Sequence, residues 1–437
     1  MAGVDGIPPL AGLFTYEQAA RSGYSVDGAA ERLWRLAYMY RRLHGIGVDA
    51  LPRTPEWEVK CALGLHLWLD AEHAMALERR LNELRHPSVD AGTAPDAGLA
   101  LVLDELAHAG DTAELLGAGY LVARVALVEA LTTYLATTNP LADHASVRLV
   151  EAVLRDEQRA VAWARAAAAA MQPGEWPATV ARLLVAAGGV LGDNEPAPGP
   201  PAHDLRSAAG PPPSDRVVRR DDRFGDPFNE SALIDDYWED RARPADERAY
   251  ALAYKRLREM DVPEWMAPII AESDEEPWDR RAELSRQLWD ETRHAMMGEV
   301  ALERQGVPFH SFPIPAVASI ALNTRFTPYE AHLMLWKIEQ DLMAADTGKR
   351  RELEIARAHG DPLLANFQDF DWADEILHAR TGRRWLLADF PSREAAEQAA
   401  DEILARYEVV AEELRAGSGQ VEWWPELVAA MRRGAPR

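Results

Sequence analysis

The chain has a single cysteine, Cys61, among 437 residues. One thiol cannot form an intrachain disulfide, and a chain of this length can build a core large enough to need none. That usage fits a reducing compartment, so a cytoplasmic location is expected. The N-terminus lacks a basic segment followed by an apolar run, and no signal peptide is expected. The alanine run at 166–170 is too short and too flanked by charge to cross a membrane. Basic residues are in deficit, with 47 Lys and Arg against 71 Asp and Glu and a net charge of −24. An acidic surface repels phosphate backbones and anionic lipids, so neither nucleic acid nor a membrane is an expected partner. Runs of alternating β-branched residues are scarce, which leaves little from which to build a sheet.

What remains is rich in Ala, Leu, Glu and Arg, the residues that favour helix. The expected fold class is all-α. Helical patterns cover about 29–44, 56–85, 97–109, 111–137, 143–171 and 176–187, with a Gly- and Pro-bearing loop at 45–55. Composition then shifts to Pro, Gly, Asp and Ser. Residues 189–243 read as an interdomain linker, or as an ordered strap anchored by Phe224, Phe228 and Trp238. Helical patterns resume at 244–260, 263–273, 277–305, 327–346, 349–358, 363–381 and 391–416. The expected domains are therefore a helical bundle over 1–188, the linker, and a second bundle over 244–437.

One short run carries chemistry: Trp289-Asp290-Glu291-Thr292-Arg293-His294. Glu291 and His294 are spaced i, i+3, which puts both on one helix face. A second Glu-x-x-His follows at Glu375-Ile376-Leu377-His378. Two such pairs, with one further Glu on each of two other helices, can hold two metal ions. Four carboxylates neutralise two divalent ions, and hard oxygens with an imidazole or two suit iron or manganese. Asp290 and Asp374 each precede a ligand Glu and are candidates to orient the histidines. His332 lies seven residues before Glu339 and shares its face.

The two halves of the chain repeat each other. Trp57 and Trp278 each lie 16 residues before a histidine, His73 and His294, and Trp68 and Trp289 each lie five before it. Asp70 falls where Glu291 falls, and Asp156-Glu157 echoes Asp374-Glu375. This reads as duplication of one bundle unit. In the first copy Ala160 replaces the second histidine and Leu43 stands at the first-helix ligand position, leaving Asp70, His73, Glu129 and Glu157. That copy is expected to bind metal weakly or not at all.

These residues resemble the ferritin-like superfamily of dinuclear metal bundles. The run from Pro277-Trp278 to Ala295 looks like its second-helix signature, and Gly360-Asp361 to His378 like its fourth. The resemblance implies metal ligands Glu264, Glu291, His294, Glu339, Glu375 and His378. Glu264 lies 30 residues before His294, where the family carries its first-helix ligand, but it stands between Pro263 and Pro268. Either a kink shapes the site there, or the ligand is Glu259, Glu272 or Glu247. The implied cofactor is two iron ions, with manganese as the alternative, and dioxygen as co-substrate. The implied activity is oxidation of a small organic substrate by hydroxylation, desaturation, N-oxygenation or oxidative cleavage, in specialised metabolism. A peroxide-handling metal protein and a non-catalytic interaction protein are the alternatives. The expected partners are the substrate and an electron donor, and a homodimer is compatible with the chain.

Overall fold

The computed structural model describes residues 7–85, 90–212, 215–229, 234–272, 277–344 and 348–434. Helices dominate, and no strand occurs among the described residues. The chain forms two compact units: Met1–Ile46 with Leu69–Pro213, and Gly47–Trp68 with Ser214–Arg437. The division differs from the expected 1–188, 189–243 and 244–437, because it runs through two helices, α1 (Val26–Arg53) and α2 (Trp57–Glu83).

The expected loop at 45–55 is helical as far as Arg53. Pro52 falls in the last turn, where little helix remains to be broken. Gly47 has a packing reason: a Cβ there would lie 2.7 Å from Leu67 Cδ2, so glycine lets α1 and α2 approach closely.

In the first unit, α3 (Ala97–Leu106) starts at Asp96, whose carboxylate accepts the backbone N–H of Leu99 at 2.8 Å. A π-helical stretch, Leu115–Arg124, runs directly into α4 (Val125–Thr137). It packs on α5 (His144–Ala168) and on α6 (Trp176–Ala186). The stretch Thr112–Thr137 is long and apolar enough to cross a membrane by length and composition alone. Most of it is buried inside the protein, and Arg124 within it is bound to two carboxylates, as in a core helix.

The second unit contains α7 (Ala245–Arg258), α8 (Asp261–Ala271), α9 (Trp278–Glu303), α10 (Val317–Arg325), α11 (Pro328–Asp341), α12 (Lys349–His359), α13 (Pro362–Leu386), α14 (Arg393–Ala416) and α15 (Trp424–Gly434). Helices α7 and α8 pack on α9, α9 on α13, α13 on α11, and α11 back on α8. The contacts thus close into a ring. Helix α12 lies against α7 and α13. The apolar interior includes Tyr254, Leu257, Met260, Ala295, Leu302, Phe309, Trp423 and Trp424. Each buried Leu in such a core contributes about 1.5–3 kcal/mol.

The break between α7 and α8 has a local cause. Pro263 has no N–H to donate to the Glu259 carbonyl, and its ring crowds that carbonyl. Val262 N–H donates to it instead, at 3.0 Å. Pro268 repeats the defect inside α8 at the Glu264 carbonyl. There the side chain of Asn323 donates the missing hydrogen bond at 3.1 Å.

The part of 189–243 assigned to the second unit is pinned to it. Arg219 N–H donates to Pro52 O and Asp221 N–H to Pro55 O. Phe224 packs against Trp57 and Phe309, and Trp238 is buried. These contacts order that part of the segment along the second unit.

Candidate metal centre

The ring of helices points its polar residues inward at one level. Glu291 and His294 come from the middle of α9, Glu339 from the last turn of α11, and Glu375 and His378 from α13. Glu259 stands at the break after α7. The break turns the chain just where that carboxylate reaches the others.

Two groups of ligand atoms result. Glu291, Glu339, Glu375 and His378 form one, with the chosen atoms all within 4.8 Å of one another; Glu259, His294 and Asp371 form the other on the same criterion. The His378 Nδ1 lies 3.1 Å from Glu291 Oε1, 3.4 Å from Glu375 Oε2 and 3.7 Å from Glu339 Oε1. The His294 Nδ1 lies 3.5 Å from Glu259 Oε2, 3.5 Å from Asp371 Oδ1 and 3.6 Å from Glu291 Oε2. Glu291 therefore presents one oxygen to each group.

The far side of each imidazole meets an aspartate. His294 Nε2 lies 3.2 Å from Asp374 Oδ2, and His378 Nε2 lies 3.5 Å from Asp290 Oδ2. Arg293 ties the two aspartates together, at 2.8 Å to Asp290 and 2.6 Å to Asp374. With Nε2 carrying the hydrogen toward the aspartate, each Nδ1 turns its lone pair inward.

Those inward atoms have no hydrogen-bond partner. They are the Nδ1 of His294 and His378, Oε2 of Glu259, Oε2 of Glu339 and Oε2 of Glu375. Unsatisfied buried polar atoms are costly, and these two groups of them could hold cations. Without them, protons take their place. Burial opposes a charge on His294, but Asp374, Glu259 and Glu291 overcome it and lift its pKa to about 10. His378 is likewise raised, against its burial, by Asp290, Glu291, Glu339 and Glu375. Burial and the neighbouring Glu375 push the Glu339 carboxyl up. The donor set of carboxylate oxygens and imidazoles fits iron or manganese.

No family model, curated protein or solved structure matches the chain. The chemistry of the site therefore rests on its own residues.

Of the expected ligands, Glu291, His294, Glu339, Glu375 and His378 are gathered here, and Glu264 is not. Its buried carboxylate pairs with Lys60, with Arg220 at 3.0 Å and with the Ser319 hydroxyl at 3.2 Å. The proline-induced break places Glu259 at the centre instead. Glu272 is exposed and paired with Arg216, and Glu247 is paired with Arg432. Asp371 is an addition. It lies one turn before Glu375 on the same face of α13, a spacing visible in the sequence. His332 is buried beside Arg280, 3.2 Å from its guanidinium.

In the first unit Asp70, His73 and Glu157 also converge. A guanidinium fills the space between the carboxylates. Arg124 lies 2.9 and 2.6 Å from the two oxygens of Asp70 and 2.8 Å from Glu157. His73 Nε2 faces Asp156 at 3.4 Å, echoing His294 and Asp374. Glu129, expected to remain as a ligand, is exposed. Arg124 lies at the end of the π-helical stretch, whose wider turn alters which residues face inward.

Proposed function

We propose that the second unit is a non-haem di-iron oxidoreductase, built as a ferritin-like four-helix bundle and oxidising a small organic substrate with dioxygen. The first unit is then a tandem copy that has lost its metal. One observation carries this reading: two Glu-x-x-His pairs, with Glu259 and Glu339, bring Nδ1 and carboxylate atoms, most of them without a hydrogen-bond partner, into two buried groups that share Glu291.

Glu291, Glu339, Glu375 and His378 would hold one ion, and Glu259, His294 and Asp371, with the second oxygen of Glu291, the other. Bound iron supplies reaction with dioxygen, which no protein side chain offers. The chain's own residues supply the rest. Asp290 and Asp374 fix the imidazoles, burial excludes bulk water, and Gln287 donates to Glu339 Oε1 at 3.2 Å to hold that carboxylate. A separate electron donor must deliver the reducing equivalents.

The test is metal analysis of the full chain, stripped with chelator and reconstituted anaerobically with Fe(II) or Mn(II). Ions should be retained by the wild type and lost in the double variant His294→Ala, His378→Ala. Equal retention in both would overturn the reading. Dioxygen uptake, set against peroxide disproportionation, then separates an oxygenase from a peroxide-handling protein.

A further inference from the structure

A lysine stands inside the centre. Lys349 is the first residue of α12 and is fully buried. Its Nζ lies 2.7 Å from Glu375 Oε1 and 2.9 Å from Asp371 Oδ1, with Glu259 Oε1 at 3.9 Å. Arg256 reaches the same side. It pairs with Asp371, lies 2.7 Å from Glu259 and lies 3.5 Å from Glu352. The two groups of ligands are therefore not equivalent. In the group around His378, Glu375 turns Oε2 inward with no partner, while its Oε1 is taken by Lys349. In the group around His294, Asp371 is already held by two cations.

The lysine is delivered by deliberate packing. Helix α12 buries Leu353, Ile355 and Ala356, and its Glu352 accepts from Lys255 at 2.6 Å and from Gln368 at 2.8 Å. Before it, Gly348 leaves room that no side chain could share, since a Cβ there would fall 2.0 Å from the Leu342 carbonyl oxygen. Lys349 thus comes from an element that contributes none of the ligands.

We propose that Lys349 is an internal competitor for the second metal position. One divalent ion binds tightly among Glu291, Glu339, Glu375 and His378. The lysine ammonium holds Asp371, a ligand of the position beside His294, together with Glu375, until a second ion displaces it. The inference rests on the metal reading above. Charge supports it. Six carboxylates (Glu259, Glu291, Glu339, Glu352, Glu375 and Asp371) stand with three cations (Arg256, Lys349 and Lys255), leaving three negative charges. One divalent ion leaves one negative charge, and a second overshoots by one. With the lysine gone, four negative charges match two divalent ions. Loading is thereby stepwise, and the lysine sets the affinity of the second step.

The experiment titrates chelator-stripped full chain with Mn(II), read by calorimetry and by the free-ion signal in electron paramagnetic resonance. The wild type should bind a first ion tightly and a second at least about tenfold more weakly, since a buried like charge a few ångströms away opposes it. Lys349→Met should strengthen the second step by about tenfold or more, and by more than it moves the first, whose ligand Glu375 the lysine also touches. His294→Ala should abolish only the second step, and His378→Ala should weaken the first. Equal steps in the wild type, or a second step unmoved in Lys349→Met, would overturn the proposal while leaving the metal reading intact. If Lys349→Met does not fold, Lys349→Gln carries the same test, because it removes the charge and keeps a donor for Asp371 and Glu375. Binding of no ion by the wild type sinks the metal reading and this proposal together.

Discussion

Asp374 Oδ2 lies 3.2 Å from His294 Nε2, while Asp290 Oδ2 lies 3.5 Å from His378 Nε2. Each histidine faces the aspartate that precedes the other pair's glutamate, within hydrogen-bonding distance for His294 and just beyond it for His378. The two Glu-x-x-His motifs are therefore braced crosswise between α9 and α13. Asp374→Asn and Asp290→Asn keep the shape and remove the charge that favours the inward-facing lone pair. Each should lower Mn(II) affinity by about 10–100-fold with little change in melting temperature. Calorimetric titration checks it, and an unchanged affinity in both variants would show that the aspartates only pair with arginines.

The first unit invites the converse experiment. Arg124 pairs with both Asp70 and Glu157 in a buried site. Arg124→Ala leaves two buried carboxylates unpaired, which should cost about 3–5 kcal/mol. It also frees Asp70, His73 and Glu157 to take an ion. In a His294→Ala, His378→Ala background, melting of the Arg124→Ala variant should rise with added Zn(II) or Mn(II). Melting with Arg124 in place should not respond. A variant that melts lower and ignores metal would refute the idea that Arg124 replaces an ion.

The all-α class was legible from composition, and the two Glu-x-x-His spacings pointed to residues that share a face and a level. Glu264 was misplaced because the count of 30 residues back from His294 follows the family's spacing, whereas this chain breaks its helix at Glu259. Pro263 ends hydrogen bonding at Glu259, so the inward face is reached five residues earlier. Both prolines were visible, but not that Asn323 would satisfy the Glu264 carbonyl and let α8 continue through Pro268. Arg124 escaped because a π-helical stretch does not follow the 3.6-residue period. Lys349 and Arg256 escaped for a different reason. A buried cation beside a carboxylate is a product of tertiary packing, and no local spacing announces it. The same holds for residues 57–68, whose Gly64 lies against Thr292 and whose Trp68 lies under Arg286, beside the ligand-bearing stretch of α9.

Gly298 sets the distance between α7 and α9. A Cβ at this position would fall 2.2 Å from Leu257 N and 2.6 Å from Leu257 Cα. Backbone atoms cannot swing aside, so Gly298→Ala must push the helices apart. The expected cost is about 1–3 kcal/mol. Glu259 follows Leu257 by two residues and should withdraw from His294. Metal titration should then show the step that depends on His294 weakened more than the step that depends on His378. Equal weakening of both would mean that the clash is absorbed elsewhere.

His332 gives a pH dependence whose sign can be fixed. Its ring is buried and Arg280 is adjacent, and these two effects lower its pKa to about 3. In the unfolded chain it should titrate near about 6.5. Above that value the ring is neutral in both states and contributes nothing to the slope. As pH falls from about 6.5 toward about 3, the unfolded chain takes a proton that the folded protein refuses. Stability should fall over that window by about 1.4 kcal/mol per pH unit from this group. Asp261 works the other way, because burial and Glu264 raise its pKa to about 7, so it holds a proton in the folded state that the unfolded chain has released. The two contributions separate by comparison with His332→Asn, which keeps an acceptor for Arg280 and cannot titrate. Denaturant unfolding of both proteins between pH 7 and pH 4 should give curves of stability that diverge on acidification, the wild type falling faster. Parallel curves would mean that His332 takes up its proton in the folded protein.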